Sequence, residues 1–171
     1  MVILGAGAFL GISRSVAIVK YYNSLMKTVE ESNPLKAGLL CYGDSWYRFP
    51  SHFFIENKDA RIGFIQTGFD GLLPKYFSET QQGTRVRPVG MNGQNRADRN
   101  QYVSNVDQCS YFVGTLQEAD KINVGKRVVK CNQLLAPERS PSPFRWIWIP
   151  FISVHKIQHD QYCLFELFKL S

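Results

Sequence analysis

A serine behind a tight turn, three histidines and a scatter of carboxylates are the groups in this chain with the means to do chemistry. Gly43-Asp44-Ser45 follows the short apolar run Leu39 to Tyr42, so Ser45 stands where a strand would end and a turn would present a hydroxyl. Such a serine becomes a nucleophile only when a base within hydrogen-bond reach takes its proton. His52, His155 and His159 are the available imidazoles, and none has an Asp three positions earlier to orient it. His155 and His159 are four apart, yet no acidic residue follows His155 as a zinc-protease helix requires. Cys41, Cys109, Cys131 and Cys163 form no C-x-x-C pair, which leaves a zinc site without support. Asp44, Asp70 and Asp107 read as turn or surface carboxylates.

The binding candidates are aromatic and cationic. Trp46 could stack on a sugar and Arg48 could pair with a phosphate, against the plainer reading of a packed Trp covered by an Arg stem. Arg85 and Arg87 could face lipid or diphosphate phosphates, against the plainer reading of a solvated surface. Trp146 and Trp148 are two apart, so on a strand they share one face, turned to the core or to a membrane interface.

The elements that would position these groups follow from periodicity. With 171 residues, 44% of them hydrophobic, the chain can build one domain with a real core. The net charge is +6, but the basic residues form no run, so the partners do not include nucleic acid. Val2 to Ile12 is apolar and uncharged, which covers only part of a bilayer core at about 1.5 Å per residue. No basic residues precede it and no small-x-small cleavage site follows, so it reads as the end of a membrane helix rather than a signal peptide. Arg14 could snorkel to the headgroups. Val16, Val19, Tyr22, Met26 and Val29 continue the helix to residue 31, and Ser32-Asn33-Pro34 stops it.

Beyond the stop, Leu39–Tyr42, Arg61–Thr67, Cys109–Leu116, Phe144–Ile149 and Gln161–Phe168 read as strands. Residues 68–101, rich in Gly and Pro, read as loop, and Gln101–Val106 as a helical turn or two. Glu118–Lys130 is polar and ambiguous. The expected fold class is α+β, with residues 1–31 as the end of a membrane helix (residues 1–19) and its extension, and a small β-rich domain at residues 38–171.

Two resemblances bear on function. Gly43-Asp44-Ser45 is similar to the nucleophile block of GDS-type serine esterases, with Ser45 as nucleophile. That family also needs an Asp-x-x-His and a Gly-x-Asn-Asp block for the oxyanion, and Gly93-Gln94-Asn95 lacks the second block's Asp. The other resemblance is broader. Cys41, Trp46-Tyr47-Arg48-Phe49-Pro50-Ser51 and Phe53-Phe54 resemble the block that opens the C-terminal domain of dolichol-phosphate-mannose-dependent α-1,2-mannosyltransferases. Further matches follow in the same order. They are Gly68-Phe69-Asp70-Gly71-Leu72-Leu73-Pro74 with Phe77, then Gly83-Thr84-Arg85, then Met91-Asn92-Gly93-Gln94-Asn95, then Tyr102-Val103, then Cys109-Ser110-Tyr111-Phe112-Val113. Ser13-Arg14-Ser15-Val16-Ala17 resembles the exit from the last membrane helix, and Phe144-Arg145, Ile149-Pro150-Phe151 and Tyr162 resemble a final segment. Ser45 departs from the pattern, which has Glu before the Trp, and Gln117 to Ser142 matches poorly.

The second resemblance implies a luminal domain of an endoplasmic-reticulum membrane enzyme of N-glycosylation. Its partners would be the membrane, dolichyl-phosphate mannose and lipid-linked oligosaccharide, with no cofactor. The implied reaction is inverting glycosyl transfer, in which an acidic base deprotonates a mannose hydroxyl that attacks the donor's anomeric carbon. The family's acidic cluster lies in a first luminal loop that has no counterpart here, so no catalytic residue is assigned. The chain reads as an accessory fragment, inactive alone, with Trp46, Arg48 and Arg85 as substrate contacts; the alternatives are the serine esterase with Ser45 as nucleophile and a small membrane-tethered interaction protein without activity. In an oxidising lumen the matched Cys41 and Cys109 are expected to pair, leaving Cys131 and Cys163 free.

Overall fold

The computed structural model describes residues 2–30, 37–44, 55 and 57–169. A long helix, α1 (Val2–Glu30), precedes strands β1 (Gly38–Tyr42) and β2 (Ala60–Phe64). An extended segment then leads to β3 (Cys109–Thr115), the short helix α2 (Leu116–Asp120) and β4 (Gly125–Leu135). Two small helices, α3 (Ser142–Trp146) and α4 (Ser153–Lys156), come before the last strand, β5 (His159–Phe168). The expected α+β class is thus observed, as one mixed sheet in the order β2-β1-β3-β5-β4.

β1 runs parallel to β2 and β3, whereas β5 is antiparallel to β3 and β4. The parallel strands are short and apolar because both of their faces are covered. On one face Leu40, Tyr42, Ile62, Phe64, Val113, Tyr162 and Leu164 form a core under Leu73, Phe69 and Tyr102 of the 68–102 segment. On the other, Cys41, Phe112, Cys163 and Phe165 pack against Ala119 of α2, with Ile122 at the margin. A capping box starts α2, with Thr115 Oγ1 accepting from Glu118 N (3.2 Å) and Glu118 Oε2 from Thr115 N (2.9 Å).

α1 lies against the β4–β5 side, where Ala17 is buried with Leu135 and Ile157. Ser13 ties the helix to the segment after α3, its hydroxyl donating to Trp148 O (2.6 Å) and its carbonyl accepting from Trp148 N (3.3 Å). Residues 5–12 project beyond the sheet with every side exposed. Among the described residues no helix is long and apolar enough to cross a membrane.

Three sequence expectations are corrected. Phe144–Ile149 is not a strand, because Pro141 and Pro143 favour a helical start and the segment turns to pack on α1. Trp146 is accordingly half exposed rather than in the core, beneath the Arg14 guanidinium at 4.9 Å. The ambiguous stretch contributes β4, an edge strand whose Lys126, Arg127, Lys130 and Gln133 obscure any apolar alternation. Finally, Cys131 and Cys163 are not free. They are register partners on β4 and β5 and form a disulfide, alongside the expected Cys41–Cys109 bond.

Candidate functional site

The carboxyl ends of parallel strands open a crevice wherever neighbouring connections diverge. Here β1 has β2 on one side and β3 on the other, and two adjoining clefts of about 440 and 500 Å³ lie at that end. Asp44, Glu118 and Lys121 line both. Asp44 follows β1 after Gly43 and lies 3.2 Å from Lys121 Nζ, beyond the end of α2. Arg139 and Asp160 form an ion pair at the far wall, and Arg139 also donates to His159 O at 3.2 Å. Glu118 is committed to the cap of α2. Among the described residues no histidine lines either cleft.

These clefts offer donors and acceptors of both signs, as a polyhydroxyl ligand would require. His159 sits behind Arg139, and burial lowers its pKa, opposed by the Asp160 charge. Asp70 and Asp107 are exposed in separate turns and join neither cleft. No cluster of His, Cys, Asp and Glu suited to a metal exists among the described residues.

Ser45, Trp46, Arg48 and His52 lie outside the described residues. Arg85 ends a 3-10 turn, Gly83–Arg85, and is exposed. Arg87, also exposed, borders a cavity of about 560 Å³ that includes Lys75, Tyr76, Gln101 and Tyr102. The structure therefore does not bring Arg85 to the strand-end clefts, whose linings lie on other segments.

The glycine-rich segment 68–101 is stitched together by its polar residues. Gln101 is buried, accepting from Leu73 N (3.0 Å) and donating to Gly71 O (3.0 Å). Tyr102 donates its hydroxyl to Phe69 O (2.8 Å), and Asn95 accepts from Leu72 N (3.1 Å). Asn92 Oδ1 accepts from Gln94 N and Arg96 N, each at 3.1 Å, so it closes its own turn. Lys75 and Asp98 form an ion pair whose side chains are only 12% and 19% exposed. The Lys75 hydrogen bond, then that from Asn100 N, hold the Asp98 carboxyl below its ordinary range. A β-carbon on Gly90, at φ +86°, would collide with that Asp98 carboxylate. These motif residues therefore fix the fold of the segment through hydrogen bonds to its own backbone. Gln101 was not singled out from sequence, although Asp98-x-x-Gln101 carries the spacing of a capping box, which the structure forms.

Comparison with known proteins identifies where such a segment occurs. The α-1,2-mannosyltransferase Alg9 of Drosophila melanogaster is 28% identical over 183 residues, covering 97% of this chain and 29% of its own length. The human ALG9 is 30% identical over 179 residues, covering 91% of this chain and 28% of its own length. The chain is homologous to Alg9-type α-1,2-mannosyltransferases. The Arabidopsis thaliana ALG9 is 34% identical over 116 residues, 66% of this chain and 20% of that protein. The chain thus spans about a third or less of the length of the curated Alg9-type relatives it matches. No family profile matches the chain, and no solved structure does. The Alg9-type relatives lend no support to an esterase built on Ser45.

Proposed function

We propose that this chain is a luminal domain of an Alg9-type enzyme that adds mannose from dolichyl-phosphate mannose to lipid-linked oligosaccharide in N-glycan assembly. The observation that carries the reading is the alignment with Alg9-type α-1,2-mannosyltransferases over nine-tenths of the chain. Two disulfides support an oxidising compartment, as the lumen of the endoplasmic reticulum provides. The uncharged start of α1 supports attachment to that membrane.

The domain's role is accessory. Glycosyl transfer needs a base within about 2.6–3.2 Å of the acceptor hydroxyl, in a site that also holds the donor's anomeric carbon. Asp44 is paired with Lys121 in an open cleft, and Asp70 and Asp107 stand apart from it. Trp46, Arg48 and Arg85 are the candidate contacts to sugar and phosphate groups. The exposure of Arg85 leaves its guanidinium free to meet a phosphate.

The test has two arms. The purified chain in lipid, given dolichyl-phosphate mannose and lipid-linked acceptor, should elongate no acceptor. Human ALG9 with its matching segment replaced by this chain should transfer mannose. Turnover by the isolated chain that disappears on mutating Asp44, Asp70 or Asp107 would overturn the accessory role. A folded chimera with no transfer would overturn the family function.

A further inference from the structure

A large apolar surface gathers at one end of the molecule. Residues 5–12 of α1 leave the sheet without a charge, and Phe9, Leu10 and Ile12 are exposed. A helix that is apolar all round has no reason to stand in water. Where it meets the domain, at Ser13 and Arg14, the chain after α3 runs alongside, and a second apolar projection follows. Phe151 is 86% exposed, and Ile152 and Val154 are exposed beside it.

This projection is built rather than frayed. Phe151 holds φ at +64°, a left-handed conformation that a bulky side chain rarely adopts. The turn is locked around it. Ser153 is buried, its Oγ accepts from Ile149 N at 2.8 Å, and its own N–H donates to Ile149 O at 2.9 Å. The fold thus holds a phenylalanine outward instead of tucking it away.

Charge selects the occupant. Residues 5–19 and 144–156, the segments at this end, contain no Asp or Glu and carry Arg14, Arg145 and Lys156. Arg14 donates to Trp146 O at 3.2 Å and lies over the Trp146 ring at 4.9 Å. An aromatic ring with an Arg beside it suits the headgroup layer of a bilayer.

We infer that this end of the domain docks on an anionic lipid bilayer. Phe151 and Val154 enter the boundary between headgroups and acyl chains beside α1, with Trp146 and Arg14 at headgroup level. The inference rests on the membrane attachment of α1 proposed above and adds a second lipid contact; its test involves no mannose transfer, and position 151 reports that contact separately from α1.

All four cysteines are in disulfides, so Phe151→Cys carries a single free thiol for an environment-sensitive fluorophore. Val89 on the 68–101 segment, 87% exposed, serves as the control position. The full chain is mixed with phosphatidylcholine vesicles with and without phosphatidylserine. The expected result is a blue shift and quenching by spin-labelled lipid at position 151 but not at 89, stronger with phosphatidylserine. Phe151→Asp with Val154→Asp should lower vesicle partitioning tenfold or more with unchanged circular dichroism. The inference is overturned if position 151 stays aqueous while the protein co-sediments, because α1 alone would then be inserted. It is overturned equally by absent co-sedimentation, or by a lipid-independent dimer that buries position 151.

Discussion

Cys131 lies directly across from Cys163 on the antiparallel β4–β5 pair, and their sulfurs are bonded. The bond fastens a polar edge strand to the centre of the sheet, where Cys163 is fully buried. The two cysteines are 32 positions apart, and closing a loop of that length is worth about 4 kcal/mol in the chain-entropy account. Replacing both by Ser should lower unfolding free energy by roughly 2–4 kcal/mol. Chemical denaturation of the oxidised proteins measures this. Non-reducing peptide mapping should recover 41–109 and 131–163 as the linked pairs, and free thiols at 131 and 163 would contradict the structure.

Gln101 organises the segment that covers one face of the sheet. Its amide satisfies Leu73 N and Gly71 O inside the protein, so truncation leaves two buried backbone groups without partners. Each such group costs about 1–3 kcal/mol. Gln101→Ala should therefore destabilise by roughly 2–6 kcal/mol. It should also speed amide exchange at Leu73. Exchange rates like those of the wild type would show that the amide is dispensable.

The Lys75–Asp98 pair gives stability a pH dependence of known sign. The Asp98 carboxyl is depressed in the folded state, chiefly by the Lys75 hydrogen bond. A depressed carboxyl contributes stability above its unfolded pKa and loses it as pH falls through the folded value. Acid titration of the unfolding midpoint should show this decline, reduced in Asp98→Asn. Equal acid slopes in both proteins would show that another carboxylate is responsible.

Arg85 is exposed at the end of its 3-10 turn, so removing its charge should leave the fold unaffected. Surface changes of this kind usually stay within about 0.5 kcal/mol. If Arg85 meets a substrate phosphate, Arg85→Ala in the chimeric transferase should reduce transfer severalfold at an unchanged melting temperature. Activity matching the parent chimera would remove Arg85 from the substrate contacts.

Several elements were legible from sequence because their apolar positions carry the burial. β1 and β3 are continuous apolar runs, and the buried stretch Tyr42, Phe112, Val113, Tyr162 to Phe165 comes from strands expected on that basis. β4 was hidden because it is an edge strand with exposed Arg127, Val128 and Val129, so its polar residues outweighed Leu134 and Leu135. Without β4, nothing placed Cys131 opposite Cys163. α3 was misread because Trp146 and Trp148 fit a strand's alternation, whereas contact with α1 decides their conformation. Of the candidate site, the sequence placed Asp44 in a turn behind β1 but assigned it no role there. It could not reveal Lys121 or Arg139, which reach the same clefts only through the sheet topology.

If this chain is a domain of an Alg9-type mannosyltransferase, as proposed, an antibody raised against the purified domain should recognise in the source cells a membrane-bound antigen several times longer than the chain. That antigen, once immunopurified, should transfer mannose from dolichyl-phosphate mannose to lipid-linked oligosaccharide. An antigen of this chain's own size, isolated without any mannose transfer, would contradict the proposal.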